Sequence, residues 1–442
     1  MTPRIRPKER RRFALFASLL FINALILESN EVVATSGFVS SLGAQNILWV
    51  WAIDMFIVIL ASGAYSLVVD RTQRPRLALF LFAGFGVVYV LLYLLLRLQA
   101  PEWLSYPLLT LINDQQWLIF PMLIWALGND AFSTAEAKRL FPLLGIAAFA
   151  GGITGNGLTA VAARWITPQN QGSIDLLLVN AGLLGAMMGV LGLSLRGMDI
   201  HTRQCRQEET ILDTLREGMA FVRDVPSYRY LTIAMVLLGI GFNVIEYQLI
   251  VGAASAYTEA PGLEAFYATI RAARTVLMLI VQGAVSGWLM KQLGFKGIFA
   301  MMPVALLSGL LLAFVWPTLI GVIIGEYLAR VTLSGIDEPA RRAFLNLVPD
   351  ERRGRVSAFI EGYLYPLGSL VSCGLIGGTL VVANNTALSA GAGRAITFGL
   401  AIAAAAAALW AIARFRSEYD KSMLNWRLKR RKRKSVLDGL DF

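Results

Sequence analysis

Phe21–Gly37, FINALILESNEVVATSG, is the stretch on which the fold turns, because it sets Glu28, Asn30 and Glu31 inside an otherwise apolar helical run. An acid at the centre of a membrane helix costs roughly 2.5–3.5 kcal/mol on insertion scales, so such residues face a water-filled cavity or a partner group. Each acid is therefore protonated, paired to a neighbouring helix, or part of an ion or substrate path. The pattern returns half a chain later in Phe242–Glu246, FNVIE, where Asn243 and Glu246 again combine an amide and an acid. Recurrence at matched depth favours the path.

Outward from this stretch the chain has 442 residues, 56% of them hydrophobic and 16% charged, with a mean hydropathy of +0.61. Its apolar runs reach the roughly 20 residues that a bilayer crossing needs. About twelve spans are predicted, near 13–39, 45–69, 77–98, 105–128, 141–165, 174–195, 230–253, 265–290, 296–315, 318–335, 355–383 and 391–413. The runs are continuous, not short and alternating, which excludes a closed barrel. The expected fold class is an all-α polytopic membrane protein with about twelve transmembrane helices in two six-helix bundles.

The net charge of +11 does not point to nucleic acid, because basic residues gather in the N-terminal tail and then in every second loop. Arg71, Arg74 and Arg76, Lys138 and Arg139, Arg196 to Arg223, Lys291 and Lys296, and Arg341 to Arg355 mark one side. By the positive-inside rule both termini are cytoplasmic, and the expected location is the bacterial inner (plasma) membrane. The run Arg427–Lys434, RLKRRKRK, either binds anionic lipid, at about 1 kcal/mol per basic residue, or is a plain topology anchor. Cys205, Cys373 and the single His201 suggest no disulfide, metal or cofactor,. Phe13–Leu27 continues without a small-residue cleavage site, so no cleavable signal peptide is expected.

In chain order, the second helix holds Asp54 and ends in Ser66–Arg76, SLVVDRTQRPR. That end resembles the loop between helices two and three of the major facilitator superfamily, and it makes Asp70 and Arg71 candidates for a cytoplasmic latch. In the fourth helix Asn113, Asp114, Gln115 and Gln116 cannot all face lipid,; a cavity wall is the expectation. Ser133 or Thr134 with Glu136 is the expected start of a short helix,. Gly145, Gly151, Gly152, Gly155 and Gly157 form a small-residue packing face in the fifth helix,. Ile211, Leu212, Leu215, Met219 and Val222 recur at helical spacing, predicting an amphipathic surface helix.

Asn243 and Glu246 open the second half as Glu31 opens the first. Arg271 and Arg274 share a face of the eighth helix,; they either bind an anionic substrate or neutralise Glu246. Glu326 and Arg330 stand four apart in the favourable order for an intrahelical pair,. Gly335–Gly368 reads as a long basic turn, and Glu361 beyond it either gates the cytoplasmic side or neutralises Arg353 or Arg355.

Four stretches together resemble the ATP/ADP translocase family, nucleotide transporters of plastids and intracellular bacteria with the major facilitator fold. They are GNDAFSTAEAKRLFPLLG (128–145), PSYRYLTIAMVLLGIGFNVIEYQ (226–248), AFYATIRAARTVLML with LGFKGIFAMMP (265–279 and 293–303), and IDEPARRAFLNLVPDERRGRVSAFIEG (336–362). The resemblance implies a secondary antiporter of nucleotides or another phosphorylated metabolite, working by alternating access as a monomeric functional unit, with no enzymatic step. Where the family carries a Lys-Asp pair in the first helix this chain has Asn30 and Glu31, the Lys after the acid of helix seven is replaced by Ile250, and YPLGSL (365–370) lacks the family's Lys. The acids stay and three lysines are gone, leaving Arg271, Arg274 and Arg330 as the deep cations.

The candidate substrate- or ion-binding set is therefore Glu28, Asn30, Glu31, Asn113, Asp114, Asn243, Glu246, Arg271, Arg274, Glu326 and Arg330, with Asp70, Arg71 and Glu361 as gates. The expected domains are 1–196 and 230–414 as bundles, 197–229 as a cytoplasmic linker and 415–442 as a basic tail. Two alternatives stay open: a proton-coupled carrier of a neutral, cationic or lipidic solute, and a non-transporting membrane scaffold or sensor.

Overall fold

The computed structural model describes residues 5–69, 72–165, 172–195, 211–345, 350–385 and 390–437, and every regular element among them is helical. Ten helical stretches are long and apolar enough to cross a bilayer. The two other expected spans are helical as well: Glu102–Ala131, which carries the polar run, and Met301–Val315, whose 15 residues reach only about 23 Å. The chain divides into two compact units, one of Met1–Ile211 with Ile250–Leu279, the other of Leu212–Leu249 with Ile280–Phe442.

The first unit holds α1 (Arg10–Leu42), α2 (Ile47–Val69), α3 (Arg74–Arg97), α4 (Glu102–Ala131), α5 (Thr134–Trp165) and α6 (Gly172–Leu195). Helix α1 is central, packed against α4, α5 and α6. Its closest approach is to α5, where a Cβ at Gly151 or Gly155 would collide with the backbone oxygens of Phe21 and Leu25. Lipid tails are as apolar as leucine, so intimate packing of small residues replaces the hydrophobic drive that joins helices in water. Phe82, Phe85 and Phe120 interlock α3 with α4.

One end of this unit is tied by ions. Arg12 donates to the Ala131 carbonyl and to Glu136, Arg139 pairs with Glu9, and Arg74 Nη1 reaches both oxygens of Asp130 at 2.8 Å. The backbone N–H of Ser133 and its hydroxyl both donate to Glu136, while the Glu136 N–H faces Ser133 Oγ. This is a capping box, and it opens the 32-residue α5, not a short helix of its own. The Ser133 N–H, then the Ser133 hydroxyl and Arg12, hold the Glu136 carboxyl below its ordinary range. A depressed carboxylate contributes stability above its unfolded pKa and loses that contribution as pH falls through its lower folded value. Glu136→Gln is thus expected to lower stability by about 1 kcal/mol at neutral pH, and thermal melts on either side of pH ~4 should show wild type and variant converging in acid.

The second unit holds α7 (Ile211–Asp224), most of α8 (Pro226–Ala256), and the helices from Val281 onward. Helix α9 (Ala260–Ile280) runs through a π-turn, Val281–Ser286, into α10 (Gly287–Ile298), with Gly294 at φ +56°. Next come α11 (Met301–Val315) and α12 (Leu319–Thr332), which cross where Gly309 and Gly325 face each other backbone to backbone. A second π-turn, Leu333–Asp337, leads into α13 (Glu338–Leu345). The expected turn from Gly335 is therefore helix up to Leu345, and it resumes at Asp350 as α14 (Asp350–Asn385). Arg341 on Asp337 at 2.6 Å, one turn apart, holds the continuation.

Helix α14 meets α8 at Gly239 and Gly368, and Tyr228 stacks on Phe344 with centroids 4.7 Å apart. In α7 it is Gly218, Phe221 and Val222 that are buried, whereas Met219, placed on the apolar face by its spacing, is 63% exposed. Gly218 sits under the Phe359 side chain. The last helix, α15 (Ala390–Leu437), continues well past the expected end of its span at 413. A stretch expected to be tail is thus helix up to Leu437.

Candidate functional site

In the first unit the polar residues of α1 divide by helical angle. Glu28 and Glu31 are three apart and share a face, while Asn30 is turned about 100° from Glu31. Glu31 Oε1 accepts from Arg271 Nη2 at 3.0 Å, and its Oε2 accepts from Asn113 Nδ2 at 2.9 Å. The Thr35 hydroxyl adds a longer contact of 3.4 Å. The Arg271 and Glu31 side chains are 12% and 26% exposed. This pair is neither sealed nor at the surface, which is what an exchangeable ion contact requires.

One turn earlier Glu28 accepts from Asn156 Nδ2 at 3.0 Å. Gly152 leaves room for it, since a Cβ there would stand 3.3 Å from Glu28 Cγ. Asn30 points the other way, taking Asn180 Nδ2 at 2.7 Å while the same nitrogen reaches Ser29 Oγ at 2.8 Å. Deeper still, Tyr89 donates to Gln116 at 2.6 Å and Gln116 to Asn23 at 3.0 Å. Gln115 donates to Asp54 at 3.0 Å. Three of the four polar residues of α4 are thus spent on neighbouring helices rather than on a cavity wall, the fourth, Asp114, being half-buried. The physical reason is that α1, α2 and α3 each present a polar partner at that level.

In the second unit Arg330 Nη2 donates to Glu246 Oε2 at 2.5 Å, and its Nε stands 3.6 Å from Glu326 Oε1. The guanidinium also lies 4.1 Å from the centroid of the Phe242 ring. Phe242 and Glu246 are one turn apart on α8, so ring and acid hold the cation together. Glu326 is 1% exposed, against 22% for Arg330 and 20% for Glu246. Asn243 is buried beside them in the same helix.

The intrahelical Glu326–Arg330 pair stands as expected, but Arg271 does not neutralise Glu246: it takes Glu31, and Glu246 takes Arg330 instead. Arg274 is half-buried on the same helix as Arg271. Asp70 and Arg71 lie outside the described residues, and Glu361 lies within α14 with its side chain outside them. Sequence reasoning missed Glu264, a buried acid at the fifth residue of α9 that accepts from Ser173 Oγ at 2.8 Å. An acid near the start of an apolar helix was the available signal. Among the described residues no cluster of His, Cys, Asp and Glu can hold a metal ion.

No protein-family model matches the chain, and no curated protein sequence matches it. Solved structures do. The nucleoside transporter NupG superposes with a TM-score of 0.66 at 13% identity, over 92% of this chain and 98% of that one. A bacterial homologue of the iron transporter ferroportin, in an inward-facing state, gives 0.66 at 13% identity, over 93% and 100%. A bacterial homologue of the human lysosomal transporter Spinster gives 0.58 at 12%, over 96% and 99%. The chain is an all-α polytopic membrane protein with the major facilitator fold.

Proposed function

We propose that the chain is a secondary transporter working by alternating access, with a nucleotide or another phosphorylated metabolite as substrate and no chemical step. The observation that carries this reading is the pair of arginine–carboxylate contacts at mid-helix, Arg271–Glu31 and Arg330–Glu246, each partly open to solvent. A phosphate oxygen offers a guanidinium the same geometry as a carboxylate oxygen and competes for it directly. Arg271 already carries a carboxylate counter-ion, and this favours a substrate with one phosphate over a triphosphate, whose charge outruns a single guanidinium. Three features rest on sequence and remain part of the proposal: cytoplasmic termini in a bacterial inner membrane, a linker over 197–229 joining two six-helix halves, and anionic lipid at the basic tail. The monomeric functional unit rests on the family resemblance alone.

A second reading, a proton-coupled carrier of a neutral, cationic or lipidic solute, is favoured by one specific observation. Two carboxylates, Glu246 and Glu326, share Arg330, so the ion pairs of that arginine bring two acids to one cation. Thermal stabilisation of the purified protein separates the two. A ligand at 100 times its Kd adds about 2.7 kcal/mol, enough to read in a melt. Nucleoside monophosphates and sugar phosphates are expected to stabilise the protein. Silence from every phosphate, with stabilisation by nucleosides or organic cations, selects the second reading.

A further inference from the structure

Glu31 is held in place by more than its cation. Asn113 Nδ2 on α4 donates to Oε2 at 2.9 Å, and the Thr35 hydroxyl, one turn along α1, stands 3.4 Å from Oε1. Oε1 is also the oxygen that Arg271 Nη2 reaches at 3.0 Å. An anion that takes Arg271 therefore strips Oε1 of its strongest donor, while Asn113 keeps the carboxyl where it is. A carboxylate accepts and cannot donate, so the lost hydrogen has to come from somewhere else. The neighbouring amides do not supply it. Asn113, 2% exposed, spends its nitrogen on Glu31 and has Oδ1 buried with no donor. Three residues before Glu31, about 4.5 Å along the helix axis, Glu28 takes the nitrogen of Asn156, whose Oδ1 is likewise buried with no donor. This face of α1 thus sets Arg271 beside a row of oxygens short of hydrogens.

We propose that Glu31 is the subsite for a hydroxyl that the substrate carries beside its phosphate: as the phosphate takes Arg271, the hydroxyl donates to Glu31 Oε1 in the arginine's place. This rests on the phosphate reading above and narrows it to polyhydroxylated phosphate monoesters, the chemistry of sugar phosphates and nucleoside monophosphates. Such a substrate supplies both members of the opened pair with a new partner. An alkyl phosphate supplies only one and leaves Glu31 with an unmet acceptor, which is how a polar site rejects an analogue that lacks one group. A neutral hydroxyl suffices, because the guanidinium stays in the site and its charge remains beside Glu31. Asn113 is a positioning residue here: it holds Oε2, so that Oε1 is the oxygen left to the ligand. No covalent bond is made or broken.

The test compares ligands that differ in their hydroxyls alone, and its first arm needs no variant. Binding of glycerol phosphate and of propyl phosphate to the purified full-length protein is measured by calorimetry at about pH 8, where a phosphate with a second pKa of about 6 carries no proton of its own. Glycerol phosphate should bind about tenfold to about a hundredfold more tightly, the span for a hydrogen bond to a charged acceptor. Adenosine monophosphate against its dideoxy analogue repeats the comparison on a larger substrate and should give a ratio in the same direction. In Glu31→Gln and Asn113→Leu the ratios should shrink to a few-fold, whereas Glu264→Gln, which removes a separate buried acid, should leave them at the wild-type value. Equal affinity within both ligand pairs for the wild type overturns the proposal and spares the phosphate reading. Ratios that survive undiminished in Glu31→Gln also overturn it, because the hydroxyl is then read elsewhere. Ethanolamine phosphate binding far more tightly than glycerol phosphate overturns the hydroxyl assignment and makes the donor an ammonium group. Silence from all four phosphates overturns the phosphate reading and the proposal with it.

Discussion

Arg271→Ala is expected to abolish substrate-dependent stabilisation and to reduce uptake by about 30-fold to several thousandfold, the range for truncating one member of a hydrogen-bonded charge pair at a binding site, roughly 2–5 kcal/mol. Two effects combine. The substrate loses its guanidinium, and Glu31 loses its closest cation while Asn113 and Thr35 still hold it in place. The second effect is a stability cost, about 1–3 kcal/mol for a polar group left without its partner, and it can be separated from the first. Adding Glu31→Gln to Arg271→Ala removes the stranded charge, so the double variant should melt closer to wild type while remaining inactive. Arg271→Lys keeps the charge but loses the planar fork and should retain only part of the uptake. If Arg271→Ala binds and transports normally, the phosphate reading fails at its anchor.

The second large effect belongs to packing. Gly151→Leu should destabilise the protein by about 3 kcal/mol or more, at or beyond the upper end for overpacked cores. The new Cβ meets the Phe21 backbone carbonyl, and a carbonyl inside a helix cannot swing aside as a side-chain tip can. Relief requires α5 to move off α1. That displacement pulls Asn156 from Glu28, a bond of 3.0 Å between the same two helices, so activity should fall with stability. Gly157, on the same helix with open space around its Cα, supplies the control: Gly157→Leu should change stability by about 0.5 kcal/mol or less, as for ordinary surface positions. Equal melting shifts for the two variants would refute the close-packed α1–α5 seam.

Much of this architecture is legible from hydropathy, because in a bilayer every backbone group must be satisfied within its own helix and long apolar runs leave no other solution. The ends of helices are less legible. Gly335, Asp337, Pro339 and the arginines that follow carry the composition of a turn, yet the chain stays helical to Leu345 because a π-turn absorbs the register change and Arg341 compensates the buried Asp337.

The site divides in the same way. Glu28, Glu31 and Glu246 stand out in sequence because a charge in an apolar helix is costly, whatever surrounds it. Their partners do not stand out, because periodicity along one helix says nothing of which face of another helix meets it. Arg271 thus finds Glu31 and not Glu246. Gln115 and Gln116 likewise find Asp54, Asn23 and Tyr89 on three other helices. Asp54 was visible as an acid in the second helix; the bond it accepts from Gln115 depends on how α2 meets α4.

The most direct test of the central claim is counterflow in proteoliposomes. Vesicles of the purified full-length protein, loaded with unlabelled adenosine monophosphate and diluted into a trace of the labelled compound, should accumulate label transiently above equilibrium, and vesicles carrying Arg271→Ala should not. Accumulation identical to that of protein-free vesicles, repeated across nucleosides, nucleotides and sugar phosphates, would contradict transport of a phosphorylated metabolite by this chain.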